Sequence, residues 1–142
     1  MAPPPRNDGS RATAPPVRVM VVDDAPSFRR VARAVIDATA GFESVRDAAS
    51  GPEALAYVDV LQPHLVLLDV HMPEMGGVEV ARRLHESHPE MVVVLISLQE
   101  VPNDPIALGT CGAAAFVCKQ GFGTRTLRRL WAAHGLPQAT DG

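Results

Sequence analysis

Apolar residues along this chain follow two patterns, unbroken runs of four to six and longer stretches in which they recur every three or four positions. The runs predict strands buried on both faces, and the longer stretches predict helices with one inward stripe. Val17–Val22 reads as a strand with one arginine in it, and Asp23 and Asp24 follow at once. Ala25-Pro26 opens a helix, since proline suits a first turn, and Phe28, Ala32, Val35 and Ile36 mark its inner face. Phe42–Ala48 is shorter and more polar and is predicted at a sheet edge. Ser50-Gly51-Pro52-Glu53 begins a second helix carrying Leu55, Val58 and Leu61, and His64–Asp69 is a buried strand. Val78, Ala81, Leu84 and His85 form a third helical face, which Pro89 ends. Met91–Ile96 is a further buried strand leading into Ser97. Pro102 and Pro105 leave room only for a short fourth helix around Ile106–Cys111. Ala114–Cys118 is the last strand and reaches Lys119. Thr124 is predicted to cap a final helix with Leu127, Leu130 and Trp131 on its inner face.

Strand and helix thus alternate five times, which implies an open parallel sheet with helices on both faces and right-handed crossovers. In such sheets ligands bind beyond the carboxyl ends of the strands, where the strand order reverses. Asp23 and Asp24, Asp69, Ser97 and Lys119 each stand at the end of a different strand. These residues are therefore expected to share one rim.

Composition sets bounds. The 142 residues are 46% hydrophobic and 20% charged, which suits one folded domain with a proper core. Residues 1–16, with Pro3, Pro4, Pro5, Pro15 and Pro16 among small and polar neighbours, read as a disordered or extended tail. The domain proper is expected over residues 17–134, with a short tail at 135–142. A net charge of −3 gives no reason to expect nucleic acid or an anionic membrane as partner. No apolar stretch approaches a membrane span, and the first residues lack the apolar core of a secretory signal. Cys111 and Cys118 suit a reducing cytoplasm, and neither has the companion ligands of a thiolate metal site.

The chemistry concentrates around the run Leu65–Gly77. Asp69 ends a buried strand, where a carboxylate is costly unless paired, metal-bound or open to water. Pro73 and the Gly76-Gly77 pair then force a tight loop. Asp23, Asp24 and Asp69 would repel one another, so they invite a hard divalent cation, Mg²⁺ or in its place Mn²⁺. One carboxylate is then left to attack phosphorus, for which aspartate is a competent nucleophile. Metal and ammonium would offset the charge on the phosphoryl oxygens, and Ser97 can donate to one of them. Lys119 is the only lysine among thirteen basic residues. A compact ammonium fits a narrow cleft better than a planar guanidinium does.

In these residues the chain resembles the receiver domain of bacterial response regulators in two-component signalling, over roughly Val17 to His134. Asp23 and Asp24 look like that family's acidic pair, and Asp69 like its phosphoacceptor. Met72-Pro73 and Gly77 resemble the loop that follows. Ser97 fits the hydroxyl position, Lys119 the lysine, and Phe116 the aromatic switch position. The resemblance implies a flavodoxin-like, doubly wound, five-stranded parallel sheet in the order 2-1-3-4-5. It implies a partner histidine kinase or phosphotransfer protein that presents phosphohistidine to Asp69 in a metal-dependent step. Asp24 would bind the metal directly, Asp23 mostly through water, and His71 through its backbone carbonyl. Ser97 and Lys119 would hold the phosphoryl oxygens. An inward move of Ser97 would let Phe116 turn in and change a face that binds a downstream protein. No turnover of an external substrate is implied beyond self-phosphorylation from phosphodonors and loss of the phosphoryl group.

Three positions depart from the pattern. Gln120 stands where proline is usual, so no cis bond is expected there. Leu98 replaces a small residue and is expected to narrow access to Asp69, with His71 and Gln99 flanking the same path. Pro102 and Pro105 shorten the fourth helix. Other features have plainer readings. His85 and His88 are a surface pair, Cys118 is a small buried hydrophobe of its strand, and Arg125, Arg128 and Arg129 form a solvated face or a docking patch. The chain is read as a stand-alone receiver acting as a phosphorylation-controlled switch. Its rivals are a phosphorylation-independent docking module, an aspartate-nucleophile phosphatase, and the receiver part of a DNA-binding regulator.

Overall fold

The parallel sheet of this protein runs β2-β1-β3-β4-β5 in a computed structural model that describes residues 15–98 and 110–135. The strands are β1 (Val17–Val22), β2 (Phe42–Ser44), β3 (Leu65–Asp69), β4 (Val92–Ser97) and β5 (Ala115–Cys118). The helices are α1 (Pro26–Ala38), α2 (Gly51–Leu61), α3 (Gly77–Ser87) and α4 (Thr124–His134). The Pro-rich tail up to residue 14, Gln99, Pro102, Pro105, most of the expected short fourth helix and the tail beyond Gly135 lie outside the described residues. Among the described residues no helix is long and apolar enough to cross a membrane.

The unbroken apolar runs became the central strands. All of β3 and β4 is buried, because helices cover both faces. On one face Met20, Val22, Val66, Leu68, Val93 and Leu95 pack against Ala54 and Val58 of α2 and Val80, Ala81 and Leu84 of α3. On the other face Val19, Val21, Leu65, Leu67, Val94 and Ile96 pack against Ala32 and Ile36 of α1 and Leu127 and Leu130 of α4. Successive residues of one strand thus serve opposite layers.

Local chemistry sets the helix ends. In α2 the Ser50 hydroxyl accepts from Glu53 N at 3.2 Å, and the Glu53 carboxylate accepts from Ala49 N at 2.7 Å. Gln62 ends that helix in the left-handed region at φ 49. For α4 the expected cap, Thr124, is instead the first helical residue. The capping is done by Thr126, whose hydroxyl accepts from Gly123 N at 3.2 Å and donates to Gly121 O at 2.8 Å. In α3 the buried positions are Gly77, Val80, Ala81 and Leu84. His85 is exposed, which fits its reading as a surface residue and not its grouping with the inward face of Val78, Ala81 and Leu84.

The predicted edge strand Phe42–Ala48 is shorter than expected. Regular pairing stops at Ser44, and Ala48 rejoins β1 through a single bridge to Val22. Between them Arg46 turns outward over the Tyr57 ring at 4.4 Å, and Asp47 turns toward α1. On the outer side of β2, Phe42 N donates to Thr39 O at 3.1 Å and Ser44 N donates to the Asp37 carboxylate at 2.8 Å.

Candidate functional site

The strand order reverses between β1 and β3, and the two acidic segments meet there. Register places Val22 beside Leu68, so Asp23 and Asp24 leave β1 next to Asp69 at the end of β3. Asp69 pairs with Ile96, and Ser97 pairs with Cys118, so Ser97 and Lys119 continue the same rim across β4 and β5. Among the described residues, one group of acidic or metal-ligating side chains can meet at a single ion. It is Asp23, Asp24 and Asp69, whose oxygens lie within 4.8 Å of one another.

The site is built tightly. Asp23 is fully buried. Its Oδ1 accepts from Ala25 N at 2.8 Å, fixing the turn into α1. Its Oδ2 is buried with no hydrogen-bond partner, and the Lys119 Nζ 2.6 Å away is an ion-pair contact without hydrogen-bond alignment. Lys119 Nζ also lies 3.7 Å from Asp69 Oδ2. Asp24 is exposed at the mouth. Asp69 is only 4% exposed, and its Oδ1 accepts from His71 N at 3.3 Å. Gly77 explains the Gly76-Gly77 pair: Gly77 N donates to Val70 O at 3.0 Å, and a Cβ at Gly77 would overlap the Asp69 carbonyl oxygen.

Burial pushes the Asp69 carboxyl up to about 6, with the Asp23 charge adding to the rise. The Lys119 ammonium and the His71 N–H pull against it, and Asp24 adds a smaller upward push. One ammonium therefore does not neutralise three carboxylates. The surplus negative charge, the all-oxygen donors and the buried, unbonded Asp23 Oδ2 fit a hard divalent cation.

The other predicted residues sort as follows. Ser97 is buried at the end of β4, and Phe116 is half-buried against the layer of α2 and α3. The His71 side chain is exposed, while its backbone lies at the mouth beside Asp69. Leu98 is 67% exposed on the rim. Gln120 sits exposed in a 3-10 turn over Lys119–Gly121, and the described residues contain no cis peptide bond. Cys118 is half-buried rather than buried, because β5 is an edge strand of the sheet. His88 pairs with Asp59 at 3.3 Å, and Arg125, Arg128 and Arg129 are exposed on α4, all away from the acidic group.

Two residues that no sequence motif marks belong to the site: Arg29, and Phe28, which the sequence shows only as part of an inward helix face. Arg29 Nη1 donates to Asp23 O at 2.6 Å, and Arg29 Nε pairs with Asp47 at 3.0 Å. That clamp joins α1, the acidic turn and the loop after β2. Phe28 presents its ring to Lys119 Nζ, 4.8 Å from the centroid. The available sign was their position one turn beyond the acidic pair.

Comparison with known proteins places this geometry. The family described as "Response regulator receiver domain" matches residues 19–130. The chain is 38% identical over 103 residues to response regulator GacA of Pseudomonas protegens, covering 72% of this chain and 48% of that protein. It is 35% identical over 118 residues to a protein-glutamate methylesterase/protein-glutamine glutaminase of Anaeromyxobacter dehalogenans, covering 82% of this chain and 33% of that one. The chain thus spans about half the length of the first relative and a third of the second. In structure it is similar to the signal receiver domain of response regulator NarL from Mycobacterium tuberculosis. The TM-score is 0.78 at 29% identity, covering 85% of this chain and 98% of that domain.

Proposed function

The chain belongs to the response regulator receiver domain family of two-component systems, and from that premise we propose that Asp69 accepts a phosphoryl group from a histidine kinase or phosphotransfer protein in the cytoplasm. The observation that supports this most is the meeting of Asp23, Asp24, Asp69 and Lys119 on one rim.

With its carboxyl at about 6, Asp69 is mostly ionised at neutral pH and able to act as nucleophile. Its carboxylate oxygen forms a bond to phosphorus while the bond from phosphorus to the partner's imidazole nitrogen breaks. That nitrogen keeps the electron pair, and the ring, already protonated on its other nitrogen, leaves as neutral imidazole. Asp23, Asp24, Asp69 and the His71 carbonyl would hold Mg²⁺ or Mn²⁺. When bound, the cation supplies Lewis-acid neutralisation of the phosphoryl oxygens. Lys119 lies between Asp23 and Asp69 and needs only a short swing to pair with a phosphoryl oxygen. The Ser97 hydroxyl donates to another such oxygen. Repacking of Ser97 and Phe116 then shifts the population toward a state that a downstream protein recognises.

The test is labelling with phosphorylated histidine kinases and with a small phosphodonor, in the presence of Mg²⁺. We expect an acid-stable, base-labile acyl phosphate in the native protein and none in Asp69→Asn. Native protein that no phosphodonor labels would favour a docking module that keeps the receiver fold without its chemistry.

A further inference from the structure

We propose that Phe28 is a positioning residue that holds the Lys119 ammonium in the acidic rim, an inference that rests on the phosphoacceptor reading above. A lysine side chain has a flexible four-carbon stem, and fixing it in one place has an entropic cost. Here it is only 10% exposed. Asp23 Oδ2 and Asp69 Oδ2 lie 2.6 and 3.7 Å from Nζ, and Nζ stands over the Phe28 ring, 4.8 Å from its centroid. That distance is within the range over which an aromatic face attracts an ammonium. The ring is itself held. Phe122 tilts against it, with centroids 6.4 Å apart and planes at 57°. Phe122 is brought there by the turn after Lys119, in which Phe122 N donates to Lys119 O at 3.2 Å. Phe28 and Phe122 both pack on the layer of α1 and α4.

A ring suits this position better than an acid would. A further carboxylate would hold the ammonium but repel an incoming phosphoryl group. An aromatic face attracts the ammonium and leaves the net charge of the rim unchanged. Its attraction is also broad in direction, so Nζ can turn from Asp23 toward a phosphoryl oxygen without leaving the ring.

Because Lys119 is the only lysine, selective ¹³C-lysine labelling gives a single set of side-chain resonances. In native metal-free protein the Cε protons should be shifted upfield by the ring, should move toward the free-lysine position in Phe28→Leu, and should stay upfield in Phe28→Tyr. Beryllofluoride with Mg²⁺ serves as the phosphoryl mimic. Phe28→Leu should weaken its apparent affinity about three- to ten-fold, the scale of one partly desolvated cation–π contact, with Phe28→Tyr close to native. A Cε resonance at the free-lysine position in the native protein overturns the proposal, as does a Phe28→Leu variant matching the native protein in both readouts. If native protein fails to bind beryllofluoride, the phosphoacceptor reading falls, and the lysine resonance alone decides whether Phe28 places Lys119.

Discussion

The two ends of the parallel sheet carry polar groups in opposite conditions. At the carboxyl end, acids crowd one another, Asp23 Oδ2 has no hydrogen bond and one ammonium serves two carboxylates. At the amino end a cleft of about 380 Å³ is lined by Gln62, His64, Ser87, His88, Glu90 and their neighbours. There the inward polar groups are satisfied by backbone and by each other. His64 Nδ1 accepts from Arg18 N at 2.9 Å, and Arg18 Nη1 donates to Gln62 O at 2.9 Å. His88 meets both Asp59 and the Ser87 hydroxyl. Polar groups with complete partners rigidify a connection, whereas groups left short of partners are available to a ligand. By that criterion the cleft is a structural joint and the rim is the end open to a ligand, although both hold several titratable residues.

The contrast can be broken most forcefully at Gly77. A methyl group there meets the Asp69 carbonyl, so Gly77→Ala should cost about 2–3 kcal/mol and lower Tm by about 10 °C, read by calorimetry. Cation binding should weaken with it. At the amino end, His64→Ala removes the acceptor for Arg18 N and should cost about 1–2 kcal/mol, while His64→Asn restores an acceptor and recovers part of the loss. A His64→Ala variant as stable as the native protein would refute the joint.

The dependence on pH should run in opposite directions at the two ends. Asp69 has a raised carboxyl, so between about pH 4 and 6 the native state binds more protons than the unfolded chain. Its contribution is therefore full at low pH and is lost as pH rises through about 6. In metal-free protein at pH 8, discounted for screening at the open mouth, Asp69→Asn should gain about 1–2 kcal/mol. That gain should fade toward pH 4, and Mg²⁺ should narrow it by stabilising the native protein. Burial, and next the Arg18 charge, lower the His64 imidazole below its usual range. The unfolded chain then binds the extra proton, so the stability difference between native protein and His64→Asn should grow as pH rises from 5 to 7. Parallel slopes at the two ends would undo the comparison. The smallest effect is expected at exposed Leu98, where Leu98→Ala should speed loss of the phosphoryl group about two-fold, equivalent to a surface change of about 0.5 kcal/mol. Unchanged decay would remove Leu98 from the access path.

Much of this fold was legible because buried parallel strands write themselves as continuous apolar runs. Val17–Val22 lies where the pattern puts it, and the strand order follows from the family resemblance. The rim was legible because each of its residues stands directly beyond such a run. Features made by one segment acting on another were not legible. The stretch beyond β2, where Arg46 turns out over Tyr57 and Asp47 turns toward Arg29, is made by contacts with α2 and α1. Thr126 displaces Thr124 as the cap because its hydroxyl reaches back over Gly121 and Gly123. Phe28 and Arg29 look like ordinary helix residues until the fold brings Lys119 and Asp47 to them.

The short edge strand has a consequence for solubility. A free sheet edge offers its unpaired N–H groups as a template on which another chain can polymerise. In β2 the outward donors of Phe42 and Ser44 are already taken by Thr39 O and the Asp37 carboxylate. A second molecule arriving at this edge would find no donor to pair with there and would meet the negative charge of Asp37. The residues that stop the sheet from growing inside one molecule thus also guard against fibril formation between molecules.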